Sequence, residues 1–435
     1  MSAATRVRAA NGPRAGAGTV VPRWAPGRGT LGPVRLHQVV LAEVAAAVVL
    51  VGWVAGGLLL VPAVVLGVLL LLSAVVRRGS RPVTEWLTAA AGLRRRLRGA
   101  AASGPVAAGT DPRLAPLMEC EPALRCESFA DRERRSVGLV GDGTFLTAVL
   151  RVDAVDRPLR ADRVEKALPL GLLRDAMDVD GIRLESVQVV QSTLPAPAPH
   201  LPGQALAARN YTPLQALTGS PAVRQTWVAL KFDPELCPAA VEARGGGAEG
   251  ARRCVLRAAE QLASRLRGAG FAATLLSEDG LTAALSVAAD VNPAATDRAS
   301  RATTPARRTV ESPRAWRCDD RWHTTYWVSR WPRLGAGGAA LPQLAALPQL
   351  AALLTSLPAL STTLSLTLGR SGTATGRPTS TLTGHVRICG RSADELAAVR
   401  RELERAARAV KAGLVRLDHE QVPGVLATLP LGGTR

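Results

Sequence analysis

The chain has 435 residues, a net charge of +19 and six cysteines, and its length exceeds what one domain usually needs. Only three of the basic residues are Lys, and Ala, Gly and Pro abound, so the charge reflects Arg-rich coding more than a nucleic-acid surface. No two cysteines have the two-residue spacing of a zinc knuckle or a dithiol redox motif, so free thiols are expected, with Cys254 and Cys389 in the core.

Residues 1–33 read as a disordered Arg-rich arm; six Arg and no acid fall in residues 1–35. From Val44 to Val76 no residue is charged. One helix over those 33 residues would be about 50 Å long, against a hydrocarbon core of about 30 Å. Gly52-Trp53-Val54-Ala55-Gly56-Gly57 offers a reversal in the middle. The pattern therefore predicts a two-helix transmembrane hairpin over 34–76, with spans at about 34–54 and 58–76. Arginines on both flanks predict a multi-pass protein of the cell (plasma) membrane with both termini cytoplasmic. Glu43 is the one acid inside the hairpin, which makes it a candidate contact for a partner's membrane helix.

Residues 77–115 read as a juxtamembrane basic helix and linker. Arg77, Arg78, Arg81, Arg94, Arg95, Arg96 and Arg98 are its candidate anionic-lipid contacts. Residues 116–435 are expected to form a cytosolic α+β (mixed α/β) domain with helices on one face, divisible at 116–290 and 313–435. Its expected strands include 136–152 as a hairpin, 182–190, 223–232, 271–276, 281–288, a strand pair over 313–331, 360–368, 380–389, 414–417 and 425–429. A short helix is expected at 169–178. Longer helices are expected at 249–267, ended by Gly268 and Gly270, and at 392–411, opened by a Ser392/Glu395 capping box. Asp290–Ser312 reads as loose. Leu341–Leu357 reads as a helix containing a duplicated Leu-Pro-Gln-Leu-Ala-Ala.

Few motifs carry chemistry. Gly245, Gly247 and Gly250 match G-x-G-x-x-G formally, but no strand leads directly into them and no Lys-Ser/Thr pair follows, so the loop reads as a turn. In Cys318-Asp319-Asp320-Arg321-Trp322-His323 the adjacent carboxylates of a strand point to opposite sides and do not converge on an ion. No catalytic, cofactor-binding or metal-binding residues are assigned, and no cofactor is expected. Trp316, Trp322, Trp327 and Trp331 are expected to pack a core or to form a partner surface.

The ordered set of an Arg-rich start, the 36–76 apolar pair, Glu85-Trp86-Leu87 with the Arg94–Arg98 cluster, the Arg244–Gly250 loop and Trp331-Pro332 resembles the EccE family. That family is a core membrane component of the actinobacterial type VII (ESX) secretion system. The resemblance implies a non-enzymatic structural subunit that assembles with EccB, the EccC ATPase and EccD. It implies no small-molecule substrate and no nucleic acid. The competing readings are a membrane-anchored transferase and a membrane-tethered nucleic-acid binder.

Overall fold

The structure is a computed structural model. It describes residues 30–31, 34–56, 60–75, 77–78, 81–104, 106, 109–130, 134–154, 168–194, 223–302, 306–331, 357–371 and 379–433, with isolated positions at 204–206, 209–210, 213 and 353. The arm at 1–29 and the duplicated segment at 341–352 lie outside the described residues.

The chain divides into two compact units. One holds α1 (Leu36–Ala55), α2 (Leu60–Val75) and α3 (Val83–Ala102), together with Asp418–Glu420. Helices α1 and α2 pack through small residues. Ala45, Gly52 and Gly67 are buried, and a Cβ on Gly67 would stand 2.6 Å from Val49 Cγ2. The pair does not make the expected transmembrane hairpin. α1 carries His37 and Glu43 in its first turns, and its uncharged remainder, Val44–Ala55, is about 18 Å long. α2, at 16 residues, is about 24 Å long against a hydrocarbon core of about 30 Å. Among the described residues no helix is long and apolar enough to cross a membrane. That overturns the fold class built on spans at 34–54 and 58–76, and with it the multi-pass membrane placement with cytoplasmic termini.

The other unit is built on one twelve-stranded sheet in which every pairing is antiparallel. After the short α4 (Ala115–Cys120) come β1 (Arg125–Ala130), β2 (Ser136–Gly141) and β3 (Leu146–Ala154). Then follow α5 (Leu170–Asp175), β4 (Ser186–Leu194), β5 (Val223–Phe232), α6 (Pro238–Glu242), α7 (Gly247–Gly268), β6 (Phe271–Leu275), α8 (Glu278–Ala288) and α9 (Pro293–Arg301). The remainder is β7 (Thr309–Glu311), β8 (Trp316–Cys318), β9 (Arg321–Arg330), β10 (Ser361–Ser371), β11 (Thr379–Gly390), α10 (Ala393–Ala409), β12 (Gly413–Arg416) and α11 (Gln421–Ala427).

The strand order across the sheet is β1-β2-β3-β5-β4-β10-β11-β9-β8-β7, with β6 added to β3 and β12 added to β9. The same arrangement therefore occurs twice. Each half has three strands in sequence, then two more, then a long helix, a strand that returns to the third strand, and a closing helix. The halves meet through the antiparallel pair β4 and β10, in register from Ser186↔Gly369 to Thr193↔Thr362.

Helices cover both faces of this sheet, where one face was expected. Alternation along each strand sends Leu150, Val187, Val228, Leu366 and Val386 to one core, with α5, α7 and α10. It sends Val149, Val190, Trp227 and Ala229 to the opposite core, with α4, α8 and α11. Two segments expected as strands are the closing helices. Ser277 accepts from Gly280 N and opens α8, with Glu278 and Asp279 in its first turn. Gln421–Ala427 forms α11 with every residue buried. Residues 290–312, expected to be loose, contain α9 and β7.

Candidate functional site

The first core face, under α7 and α10, is apolar in the middle of the sheet. The second is polar there. Cross-strand pairing sets side chains of neighbouring strands side by side on one face, and two rows result.

In the first half Thr147 pairs with Lys231, and Lys231 pairs with Ser186, across β3, β5 and β4. In the second half His323 pairs with Cys389, and Cys389 pairs with Ser361, across β9, β11 and β10. The strands occupy the same places in their halves.

Each row is closed by the segment that follows the other half's closing helix. After α11, Leu431 O accepts from Thr147 Oγ1 at 3.0 Å, and Gly432 O accepts from Ser186 Oγ. Gly432, at φ +89°, lies against the Lys231 side chain, and Gln188 ties the same segment by accepting from Gly432 N at 2.8 Å. After α8, Asp290 comes over the second row. Its Oδ2 accepts from Ser361 Oγ at 2.8 Å, and its Oδ1 is ion-paired to Arg321.

The second row is where titratable groups converge. Donor atoms of Asp290, His323 and Cys389 all lie within 4.8 Å of one another. Their residues are 6 %, 0 % and 1 % exposed, which shuts the group off from bulk solvent. His323 Nε2 faces Cys389 Sγ at 3.8 Å, and His323 Nδ1 has no hydrogen-bond partner among the described residues. Trp316 stacks obliquely on the imidazole, ring centroids 4.9 Å apart. Burial holds His323 well below the usual imidazole range, helped by the Arg387 and Arg321 charges, and burial pushes the Cys389 thiol far up, with the Asp290 carboxylate adding to it. Arg387 lies 2 % exposed beside them, gives a hydrogen bond to Ala288 O at the end of α8, and is held below its usual value by burial.

None of this convergence is written in spacing, because pairing of separate strands creates it. His323 ends the Cys318–His323 segment, but its neighbours in the group are neither Asp319 nor Asp320. Asp319 pairs with Arg308 and Asp320 accepts from Asn292. Cys389 is buried as expected, yet it faces an imidazole. Asp290 sits at φ +55° in the turn after α8, a position its segment, read as loose, did not reveal.

The other sequence-derived candidates are not members of this group. Glu43 is exposed on α1. Arg77, Arg78 and Arg81 lie in a two-stranded ribbon. Arg94, Arg95 and Arg98 are exposed on α3, while Arg96 is half-buried and gives a 2.6 Å hydrogen bond to His419 O. Trp316 and Trp327 are buried. Trp322 and Trp331 keep part of their surface accessible while resting on the core, and Trp331 lies over Gly384. Trp322 lines a cleft of about 230 Å³ with Arg314, Ala315, Leu396 and Arg400. The Arg244–Gly250 loop is the turn between α6 and α7. Its Gly245 and Gly246 N–H groups are taken by Glu242 O and Val241 O, and a Cβ on Gly250 would collide with Val241 O.

Residues 220–328, from β5 into β9, match the family model described as EccE, putative type VII ESX secretion system translocon. The family resemblance drawn from the sequence is thereby shown over those residues. No curated protein matches the chain. Among solved structures it is similar to an alkyldihydroxyacetonephosphate synthase at 8% identity and a TM-score of 0.24, over 62% of this chain and 40% of that one. That likeness carries neither fold nor activity across.

Proposed function

We propose that the chain, a component of a type VII secretion system by its family match, is a non-enzymatic structural subunit that supports assembly of the channel and ATPase subunits, EccB, EccC and EccD. The observation that carries the reading is the surface of α1 and α2. Most of the exposed large hydrophobic side chains among the described residues lie there, including Leu50, Trp53, Val61, Leu66 and Leu69. An apolar surface of that extent marks a place where another protein sits, and an apolar helix of a partner subunit fits it. Glu43, the acid on α1, would pair with a donor on that partner. The cleft at Trp322 supplies a second contact, since Trp and Arg are the side chains that anchor interfaces.

An enzyme is less well supported, because the convergent group at Asp290 is enclosed and no substrate reaches it. A nucleic-acid surface is also less well supported. Arg252, Arg253 and Arg257 on α7 and Arg391 before α10 are each paired with a carboxylate, which offsets much of the basic charge there.

Co-purification of the full chain with the ATPase and channel subunits tests the proposal. Replacing Leu66 and Leu69 together by Glu should cut partner recovery about tenfold or more, equivalent to ~1.4 kcal/mol, while the melting of the sheet unit stays unchanged. Wild-type recovery with the double variant would refute it, and so would ATP hydrolysis by the purified chain.

A further inference from the structure

We propose that Asp290, His323 and Cys389 bind one zinc ion, which fastens the segment after α8 to the second half of the sheet. The three donors come from three elements: the turn after α8, β9 and β11. Two of them are set side by side by the register of β9 and β11, so the backbone holds their spacing. Across a tetrahedral zinc with bonds of about 2.3 Å to sulfur and about 2.0–2.1 Å to nitrogen, sulfur and nitrogen stand about 3.6 Å apart. Cys389 Sγ and His323 Nε2 stand 3.8 Å apart. A set of one thiol, one imidazole and one carboxylate suits a borderline-soft ion and excludes calcium and magnesium, which take oxygen ligands. Three protein donors leave a fourth position for water.

Charge and orientation agree. Zinc binding forms a Zn–S bond as the Cys389 thiol releases its proton to solvent, with no change of oxidation state. The thiolate and the Asp290 carboxylate then face the ion, the carboxylate being shared between zinc and Arg321. Arg321 and Arg387 are held by backbone carbonyls, those of Asp290 and Ala288, at the C-terminal end of α8 where the helix dipole is negative. Ser361, through its hydrogen bond to Oδ2, and Arg321, through Oδ1, fix the carboxylate from behind, as outer partners of metal ligands do. The first row is an internal contrast. Thr147, Lys231 and Ser186 occupy the same frame with no thiol, imidazole or carboxylate among them, and they are closed by backbone carbonyls.

The full chain, stripped of metal under reducing conditions and reloaded, tests the site with Zn²⁺ and Co²⁺. One equivalent of Zn²⁺ should bind with release of a proton, and Co²⁺ should give a thiolate-to-metal charge-transfer band. Cys389→Ser should abolish that band, while Cys254→Ser should leave it. Ser361→Ala, a change in a positioning residue, should weaken zinc binding about 10–100-fold without loss of fold. X-ray absorption of the zinc-loaded wild type gives a readout that needs no variant. One sulfur with nitrogen or oxygen scatterers is expected. A shell without sulfur or with several sulfurs would overturn the proposal, as would a folded wild-type chain that takes up no zinc, or a band that survives Cys389→Ser.

Discussion

The two rows on the polar face answer the same structural problem differently. Each lies across the third, fifth and fourth strands of its half, and each is closed by chain arriving from the other half. The Thr147–Lys231–Ser186 row is sealed by main chain, with Leu431 O and Gly432 O as acceptors. The His323–Cys389–Ser361 row is sealed by a side chain, Asp290, which brings a charge. The lesson is that topology sets where a row is and what covers it, whereas the residue types decide whether the covered space is closure or a donor group. A main-chain seal asks for backbone conformations that glycine alone tolerates. A side-chain seal asks that every buried charge find a partner.

The largest expected effect breaks the main-chain seal. Gly432→Val places a β-branched residue at φ +89° and against Lys231, and it should destabilise the fold by about 3–5 kcal/mol in urea denaturation. A change under about 1 kcal/mol would show that the seal is not part of the cooperative structure. Next, Asp290→Asn removes the charge from the other seal while keeping its shape and its tolerance of positive φ. Arg321, part-buried, is then left without its carboxylate, at an expected cost of about 2–3 kcal/mol. If the two variants cost the same as their exposed-surface controls, the reciprocal closing would be refuted.

A pH experiment separates the halves by their titratable content. Four residues before Cys389 on β11 stands His385, and four before Lys231 on β5 stands Trp227. Burial lowers His385 from 6.5 to about 4, so it is neutral in the folded chain. In the unfolded chain it takes up a proton as pH falls below 6.5. The unfolded state therefore binds more protons between pH 6.5 and about 4, and stability is complete above that window and declines through it. The loss due to His385 should approach about 3 kcal/mol at the acid end; His323, also held low by burial, adds to the same decline, so His385→Leu should make that part of the profile shallower without flattening it. An unchanged slope would mean that His385 is solvated.

The smallest effects are the most comparative. Ser186→Ala and Ser361→Ala each remove a hydroxyl from equivalent places in the two rows, and each should cost about 1 kcal/mol without metal. With Zn²⁺ present, only Ser361→Ala should grow more costly. Equal values under both conditions would mean that the rows do the same thing.

Much of the sheet was legible because its strands are apolar runs bounded by turn residues. Val223–Phe232 appears with the bounds expected, and α10 is opened by Ser392, which accepts from Glu395 N at 3.1 Å. The closing helices were not legible. Leu281–Ala288 and Val425–Leu429 are short and apolar, and periodicity cannot separate a buried strand from a buried helix over such lengths. For α8 the better signal was Ser277 followed by Glu278 and Asp279, a cap with an acidic first turn. The break in the uncharged run at 44–76 was legible and the two helices on either side of it appear, at Leu36–Ala55 and Leu60–Val75, but the first spends its opening turns on His37 and Glu43 and the second is only 16 residues long. The site was invisible for a different reason. Asp290, His323 and Cys389 are far apart in the chain, and only strand pairing and the turn after α8 bring them together. The doubling of the fold left no repeat in residue types, because the two halves share an order of elements and little else.

The seal on the first row spans a great length of chain: the Thr147 bond to Leu431 joins residues 284 apart, and the Ser186 bond to Gly432 joins residues 246 apart. Contacts so remote in sequence are slow to form, since the loop they close must be ordered before they return any stability. On a ribosome, β1–β6 emerge long before the strand and the segment that complete them. Until β10 arrives, β4 is an open edge with its backbone groups unpaired, ready to accept the wrong strand. The half made first therefore spends its early life as an incomplete surface, and the rate at which the second half follows, or the help of a chaperone that covers β4 meanwhile, governs how much of the chain reaches its final form.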